Sequence, residues 1–315
     1  MPYGTALELT NDGGATLDES IWGDHAGPGA LSLWGADGFM LSVNRFDANE
    51  HATRAARLRF PLNGYVNVTD RYLYRANFDQ VAPNQLHLQR WNTESLASAS
   101  TEPPPPLLDA EILAPPGEGF AEGFSTLFDD RALAFTTGVE SDPNHSTVSL
   151  IALSPTHAEV VATAHVAALV TGLAVAGDRL IALTSQVVPD PQTTPDPAFG
   201  DLNGLVLLAF ERRGNELVEV SRVAWPVATQ FRPFINDLRR LLSFDGKTLY
   251  FQVEATDSAH SGLVALSFGD LAGDFVTYPL PTPYGAWSFA SGRMGIVYNS
   301  PTSGVYVARP WCGAP

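Results

Sequence analysis

One unit recurs six times along this chain: an apolar run, a tight turn, and a second apolar run. The copies span residues 30–43 (ALSLWGADGFMLSV), 64–74 (GYVNVTDRYLY), 123–135 (GFSTLFDDRALAF), 172–183 (GLAVAGDRLIAL), 241–251 (LLSFDGKTLYF) and 285–297 (GAWSFASGRMGIV). Asp-Gly, Gly-Asp and Ser-Gly at the turns supply the positive φ that a two-residue hairpin needs. A basic residue follows the turn in five of the six copies. A chain built this way is committed to local antiparallel pairing, and helical periodicity has almost no room in it.

A third strand follows several hairpins, as in 146–151, 203–208, 261–266 and 303–307, with a weaker one at 85–89. A fourth closes some of them, at 159–164, 217–223 and 274–280. Residues 154–170 are the one stretch worth testing as helix. Their β-branched content and imperfect alternation read as strand. Gly (27) and Pro (24) are frequent, as an all-β chain with many turns requires. The turns at 37, 70, 130, 178, 245 and 291 are spaced by roughly fifty residues, the period of a four-stranded blade. Two stretches interrupt the rhythm. Residues 101–117, with prolines 103–106, read as an extended polyproline-like insertion, and 187–203, with four more prolines, as a long loop.

The hairpin at 242–251 (LSFDGKTLYF) is similar to the S-x-D-G-K-x-L-x-F repeat of TolB-type and tryptophan–aspartate-repeat propellers, and the chain thereby resembles the β-propeller superfamily. The resemblance implies an all-β fold and a tendency to bind partners; it implies no reaction. The expected architecture is one domain over residues 1–315. It has six blades, or seven if 101–120 hides a further hairpin. The last unit holds only three strands, and the alternating segment 5–10 (TALELT) is expected to supply the fourth beside 305–308. Such closure removes an exposed sheet edge.

Charge narrows the partners. Acidic residues number 34 against 18 basic ones, a formal charge of −16, which disfavours nucleic-acid phosphate and anionic lipid. A protein or small-ligand partner, cationic if charge matters, is expected, with the chain itself a monomer. No apolar stretch is long enough to span a bilayer as a helix. Cys312 is the sole cysteine, so no intramolecular disulfide or Cys-rich zinc site is available. The N-terminal residues carry no leader pattern. An extracytoplasmic protein with its signal removed is slightly favoured over a cytoplasmic one.

Blade topology sorts the connections. First-to-second-strand turns lie on one face. Second-to-third-strand loops and the links between blades lie on the other, which is where contacts are expected. On that face fall His51, His145 and His260, with His25 and His165 in links between units. Imidazole and carboxylate together suit zinc, manganese or iron, so His25, His51, Asp142 and Asp257 are the metal candidates. Oxygen ligands such as Asp190, Asp196 and Asp201 would suit calcium instead. Solvated loop residues are the plainer account of all of these. Arg232, between two phenylalanines, is a candidate clamp for an anionic group and joins His145 and His260 as a ligand-binding candidate. No nucleophile elbow or phosphate-binding glycine loop is present. The leading function is a non-catalytic binding or scaffolding protein. The alternative is a metal-dependent hydrolase, lactonase-like, or a lyase, working from the same loop face.

Overall fold

A computed structural model describes residues 19–22, 31–36, 40–46, 52–60, 65–68, 71–78, 84–120, 125–129, 131–139, 141–176, 178–188, 201–224, 230–231, 242–244, 248–253, 262–267, 276–278, 288–292, 295–300 and 304–308. Nearly all of these are strand. The first sheet runs in the order β1 (Glu19–Trp22), β2 (Leu31–Ala36), β3 (Met40–Phe46), β4 (Ala52–Arg59). The second follows as β5 (Tyr65–Val68), β6 (Tyr72–Phe78), β7 (Gln85–Asn92), β8 (Leu108–Leu113). Two further meanders are β9 (Ser125–Asp129) to β12 (Ala158–Val166) through β10 (Ala132–Val139) and β11 (Asp142–Leu153), and β13 (Leu169–Ala176) to β16 (Glu216–Ala224) through β14 (Arg179–Val188) and β15 (Asp201–Arg213). These two join through one parallel bridge, Thr163 with Glu216, supported by Thr163 N–H donating to Asn215 O at 3.3 Å. The short β17 (Gln230–Phe231) pairs with β15. Then come β18 (Leu242–Phe244), β19 (Thr248–Val253), β20 (Gly262–Ser267) and β21 (Val276–Tyr278). The last sheet is β22 (Ser288–Gly292), β23 (Gly295–Ser300), β24 (Gly304–Ala308).

The protein is therefore all-β, and its sheets are consecutive antiparallel meanders of the propeller-blade kind. Five of the six sequence hairpins are the first and second strands of their sheets. The copy at 30–43 is the second and third, because β1 precedes it. The segment 5–10, expected to close the last sheet, lies outside the described residues.

The chain divides into two compact units. One comprises residues 1–75, 90–107 and 280–315; the other comprises 76–89 and 108–279. The core of the first unit gathers Leu41, Val43, Leu58, Phe60, Leu73, Trp91 and Leu96. Phe60 and Trp91 meet edge to face at 4.7 Å between ring centroids. The one helix among the described residues, α1 (Thr93–Ala97), places Leu96 in this core, and the Asn92 side chain caps it by accepting from Ser95 N–H at 3.0 Å. Residues 101–107 are not a free excursion: the Trp91 indole N–H donates to Pro104 O at 2.8 Å.

The reading of 101–117 as an insertion needs correction. It contains β8, which completes the second sheet as a single strand rather than a hairpin. The alternation is plain once the prolines are passed: Leu108 and Ile112 are buried, while Asp109, Glu111 and Leu113 are exposed. The second insertion is shorter than expected, since β14 continues to Val188 and β15 starts at Asp201.

The second unit holds the larger core, drawn from β10 to β16 and including Ala134, Val148, Leu150, Leu173, Ile181, Ala182 and Leu208. Residues 132–137 of β10 are all buried, so this strand is covered on both faces and reads as a continuous run rather than an alternation. The broken alternation of β12 has a local cause. Ile151 faces Val160 but Leu150 faces Ala162, leaving one extra residue at a bulge. Such a residue reverses which face the following side chains occupy. β16 carries the same irregularity, with Ala209 facing Ser221 and Phe210 facing Glu219.

Candidate functional site

Register brings the site together. Thr137, Thr147 and His165 stand directly opposite one another across β10, β11 and β12. Cross-strand partners share a face, and residues two apart on one strand share it too. His145, two positions before Thr147 and within the irregularity at Gly138/Val139, also reaches this group, its ring centroid 5.8 Å from that of His165.

The fourth member comes from the link into this sheet. Glu118 follows a tight turn in which its N–H donates to Pro115 O at 3.1 Å. Pro116 and Gly117 occupy the central positions, and Gly117 has φ +84°. That is the type II pattern, with a fixed φ first and a left-handed residue second. Gly119 then bridges Gly138 through both backbone hydrogen bonds, at 2.9 and 3.0 Å. Gly138 suits this crowded point, because a Cβ there would lie 3.3 Å from His145 O. Phe120 anchors the segment edge to face on Phe135, both rings buried.

Glu118 is buried, and both carboxylate oxygens are occupied. Oε2 accepts from the Thr137 hydroxyl and Oε1 from the Thr147 hydroxyl at 2.7 Å. The Thr147 oxygen also lies 2.9 Å from His165 Nδ1. Threonine has one hydroxyl proton, and Glu118 as a carboxylate can only accept. The chain of donors thus runs from His165 Nδ1–H to Thr147 and from Thr147 to Glu118, which leaves His165 Nε2 as the nitrogen with a lone pair to offer. His145 Nε2 lies 3.5 Å from Glu118 Oε1, and the two imidazole rings are 5.8 Å apart. One donor atom from each of Glu118, His145 and His165 lies within 4.8 Å of the other two.

The neighbouring connections are tied down as well. Asn144 bonds the backbone of Val187 from both ends of its amide, at 2.9 and 2.7 Å. Val170 N–H donates to Ser146 Oγ at 3.2 Å, and Gln186 Nε2 to Ala167 O at 2.6 Å. The edge where β10 turns to β11 and β12 turns to β13 is thus held by side chains as well as by the sheet.

Of the residues singled out from sequence, His145, Asp142, His165 and Asp201 are described, Asp201 as the first residue of β15, while Asp190 and Asp196 lie outside the described residues. His145 and Asp142 belong to β11 rather than to a loop. His145 enters the cluster; the Asp142 carboxylate instead accepts from Asn144 N–H at 3.1 Å. His165 lies in β12 rather than in a link between units. His25, His51, Asp257, His260 and Arg232 lie outside the described residues. Glu118 was missed because it lies one residue past the stretch read as an insertion, in no strand or hairpin. The Pro-Pro-Gly turn before it and the glycine after it were the available signals.

No family model matches the chain, and no curated protein matches it in sequence. In fold it is similar to the β-propeller domain of Cps50 (Swd1) from Myceliophteria thermophila. Identity there is 11% and the TM-score 0.42, over 91% of this chain and 97% of that one. It is also similar to a prolyl endopeptidase at 14% identity and TM-score 0.41, over 93% of this chain and 41% of that one. A third likeness is to the β-propeller domain of the Trilobed protease from Pyrococcus furiosus, with 11% identity and TM-score 0.38 over 89% of this chain and 73% of that one. Residue roles do not transfer at this level of identity.

Proposed function

We propose that the chain is a binding protein that presents the edge formed by second-to-third-strand loops and inter-blade links to a cationic protein or peptide. In this reading residues 1–315 form one six-bladed ring closed by the N-terminal strand. One observation carries the functional part. Within the β9–β12 sheet, a link residue (Glu118), the start of the third strand (His145) and the end of the fourth (His165) converge on one edge. The opposite edge of this sheet carries the short turn between Asp129 and Arg131. The formal charge of −16 favours a cationic partner, with association weakening as salt rises.

A metal-dependent hydrolase or lyase is the second reading. It rests on the donor set alone, since two histidines and a glutamate also serve in catalytic zinc sites. The test is binding of an arginine-rich peptide to full-length protein, against an acidic peptide of equal length. Replacing the carboxylates expected on that face, Asp142 and Asp257, together with Asn should shrink the difference. Replacing Arg71, Arg131 and Arg179 should leave it intact. Loss only in the second set would place binding on the other face.

A further inference from the structure

We infer that Glu118, His145 and His165 bind a first-row divalent transition ion of the zinc class, a site distinct from the metal candidates His25, His51, Asp142 and Asp257 read from the sequence. The inference stands independently of the partner proposed above. Two imidazoles and one carboxylate are the donor set such ions take, whereas calcium asks for six or more oxygens. Metal–ligand bonds of about 2.0–2.1 Å in a tetrahedron put neighbouring donors about 3.4 Å apart. The His145–Glu118 separation of 3.5 Å is already that distance, and the full set lies within 4.8 Å. Closing the remainder needs rotation of exposed or half-exposed imidazoles, not movement of the buried glutamate.

The surroundings are also those of a metal site. Ligating groups are normally held by outer hydrogen bonds that set tautomer and orientation. Here the Thr147 oxygen accepts a hydrogen bond from His165 Nδ1–H while its hydroxyl donates to Glu118, and Thr137 fixes the second carboxylate oxygen. Both threonines are buried, so this support is built into the sheet rather than borrowed from solvent. Three protein ligands leave a fourth position for water or for a group from a partner.

A second histidine–carboxylate pair, His87 with Asp109, offers a contrast. It is an exposed cross-strand pair with Gln89 as its further neighbour, and no third histidine, cysteine or carboxylate ligand joins it among the described residues. It serves as the control.

The experiment uses full-length protein treated with chelator, dialysed, and titrated with Zn²⁺ by calorimetry and with Co²⁺ by visible absorption. One ion per chain is expected, with Co²⁺ bands of a four- or five-coordinate centre. His145→Ala and His165→Ala should each weaken Zn²⁺ at least tenfold. Thr147→Val should weaken it by about 10–100-fold through the lost outer support. His87→Ala should change nothing, and millimolar Ca²⁺ should not compete. Glu118 is buried, so Glu118→Gln is read only if its melting curve matches wild type. The exposed His165 variant decides otherwise. The inference is overturned if wild type takes up no stoichiometric ion, if the two histidine variants bind as wild type does, or if Ca²⁺ displaces Zn²⁺. Peptide binding that persists while the ion is lost would count against the partner reading's dependence on this cluster, not against the site.

Discussion

Thr147 donates its single hydroxyl proton to Glu118 Oε1 across 2.7 Å, and this bond joins a link between sheets to the middle strand of the next sheet. Thr147 is fully buried. A carboxylate at such a place is tolerated because donors meet both its oxygens. Thr147→Val keeps the shape and removes the donor, so it should cost about 1–3 kcal/mol in urea unfolding. Thr147→Ser should recover most of that loss. Equal stability of the valine and serine variants would show that the bond is idle.

The turn that delivers Glu118 is equally testable. Gly117 has φ +84°, a conformation that an alanine reaches only at a penalty of about 1–2 kcal/mol. Gly117→Ala should lower stability by that amount. It should also loosen the cluster, seen as faster exchange of the Gly119 and Gly138 amides. An unchanged unfolding midpoint would mean that the turn is not held in the left-handed region.

Core placement can be checked at Leu133, which is fully buried in β10. Leu133→Ala should cost about 2–5 kcal/mol. Leu113, 62% exposed on β8, provides the contrast. Its alanine variant should stay within about 0.5 kcal/mol of wild type. Similar values for the two would overturn the register.

The repeat was legible because each hairpin is specified locally, by alternating apolar residues and by Asp or Gly at its turn. Leu41, Leu73, Leu133 and Ile181, each in the second apolar run of its copy, are all fully buried; Leu249 and Ile296, in the second runs of the last two copies, lie outside the residues whose side chains are described. Two things were hidden. β8 follows four prolines, and its short Leu108/Ile112 alternation was overshadowed by them. The site depends on register between distant segments: Glu118 reaches Thr147 across 29 positions in sequence. No local pattern marks such a meeting, and the bulge in β12 further masks which face His165 occupies.

The proline segment should prove structural. Trp91→Phe preserves an aromatic ring against Phe60 but removes the N–H that meets Pro104 O. A loss of about 1 kcal/mol in thermal or urea unfolding is expected. Faster proteolysis within residues 101–107 should accompany it. Wild-type proteolysis rates would show that the segment is held by other contacts.

Ring closure is tested by removing residues 1–11. An unclosed last sheet leaves backbone donors and acceptors open to pairing with other molecules. The shortened protein should melt lower and aggregate. Wild-type melting without aggregation would contradict closure by this segment.

The account's central claim is that function resides on the edge where the second-to-third-strand loops and inter-blade links meet. Hydrogen exchange read by mass spectrometry, with and without bound arginine-rich peptide, tests it most directly. The account predicts slowed exchange in 115–120, 138–146 and 165–170, with no change at the turns around 130, 178 and 214. Protection confined to those turns, with the Glu118–His145–His165 edge unaltered, would contradict it.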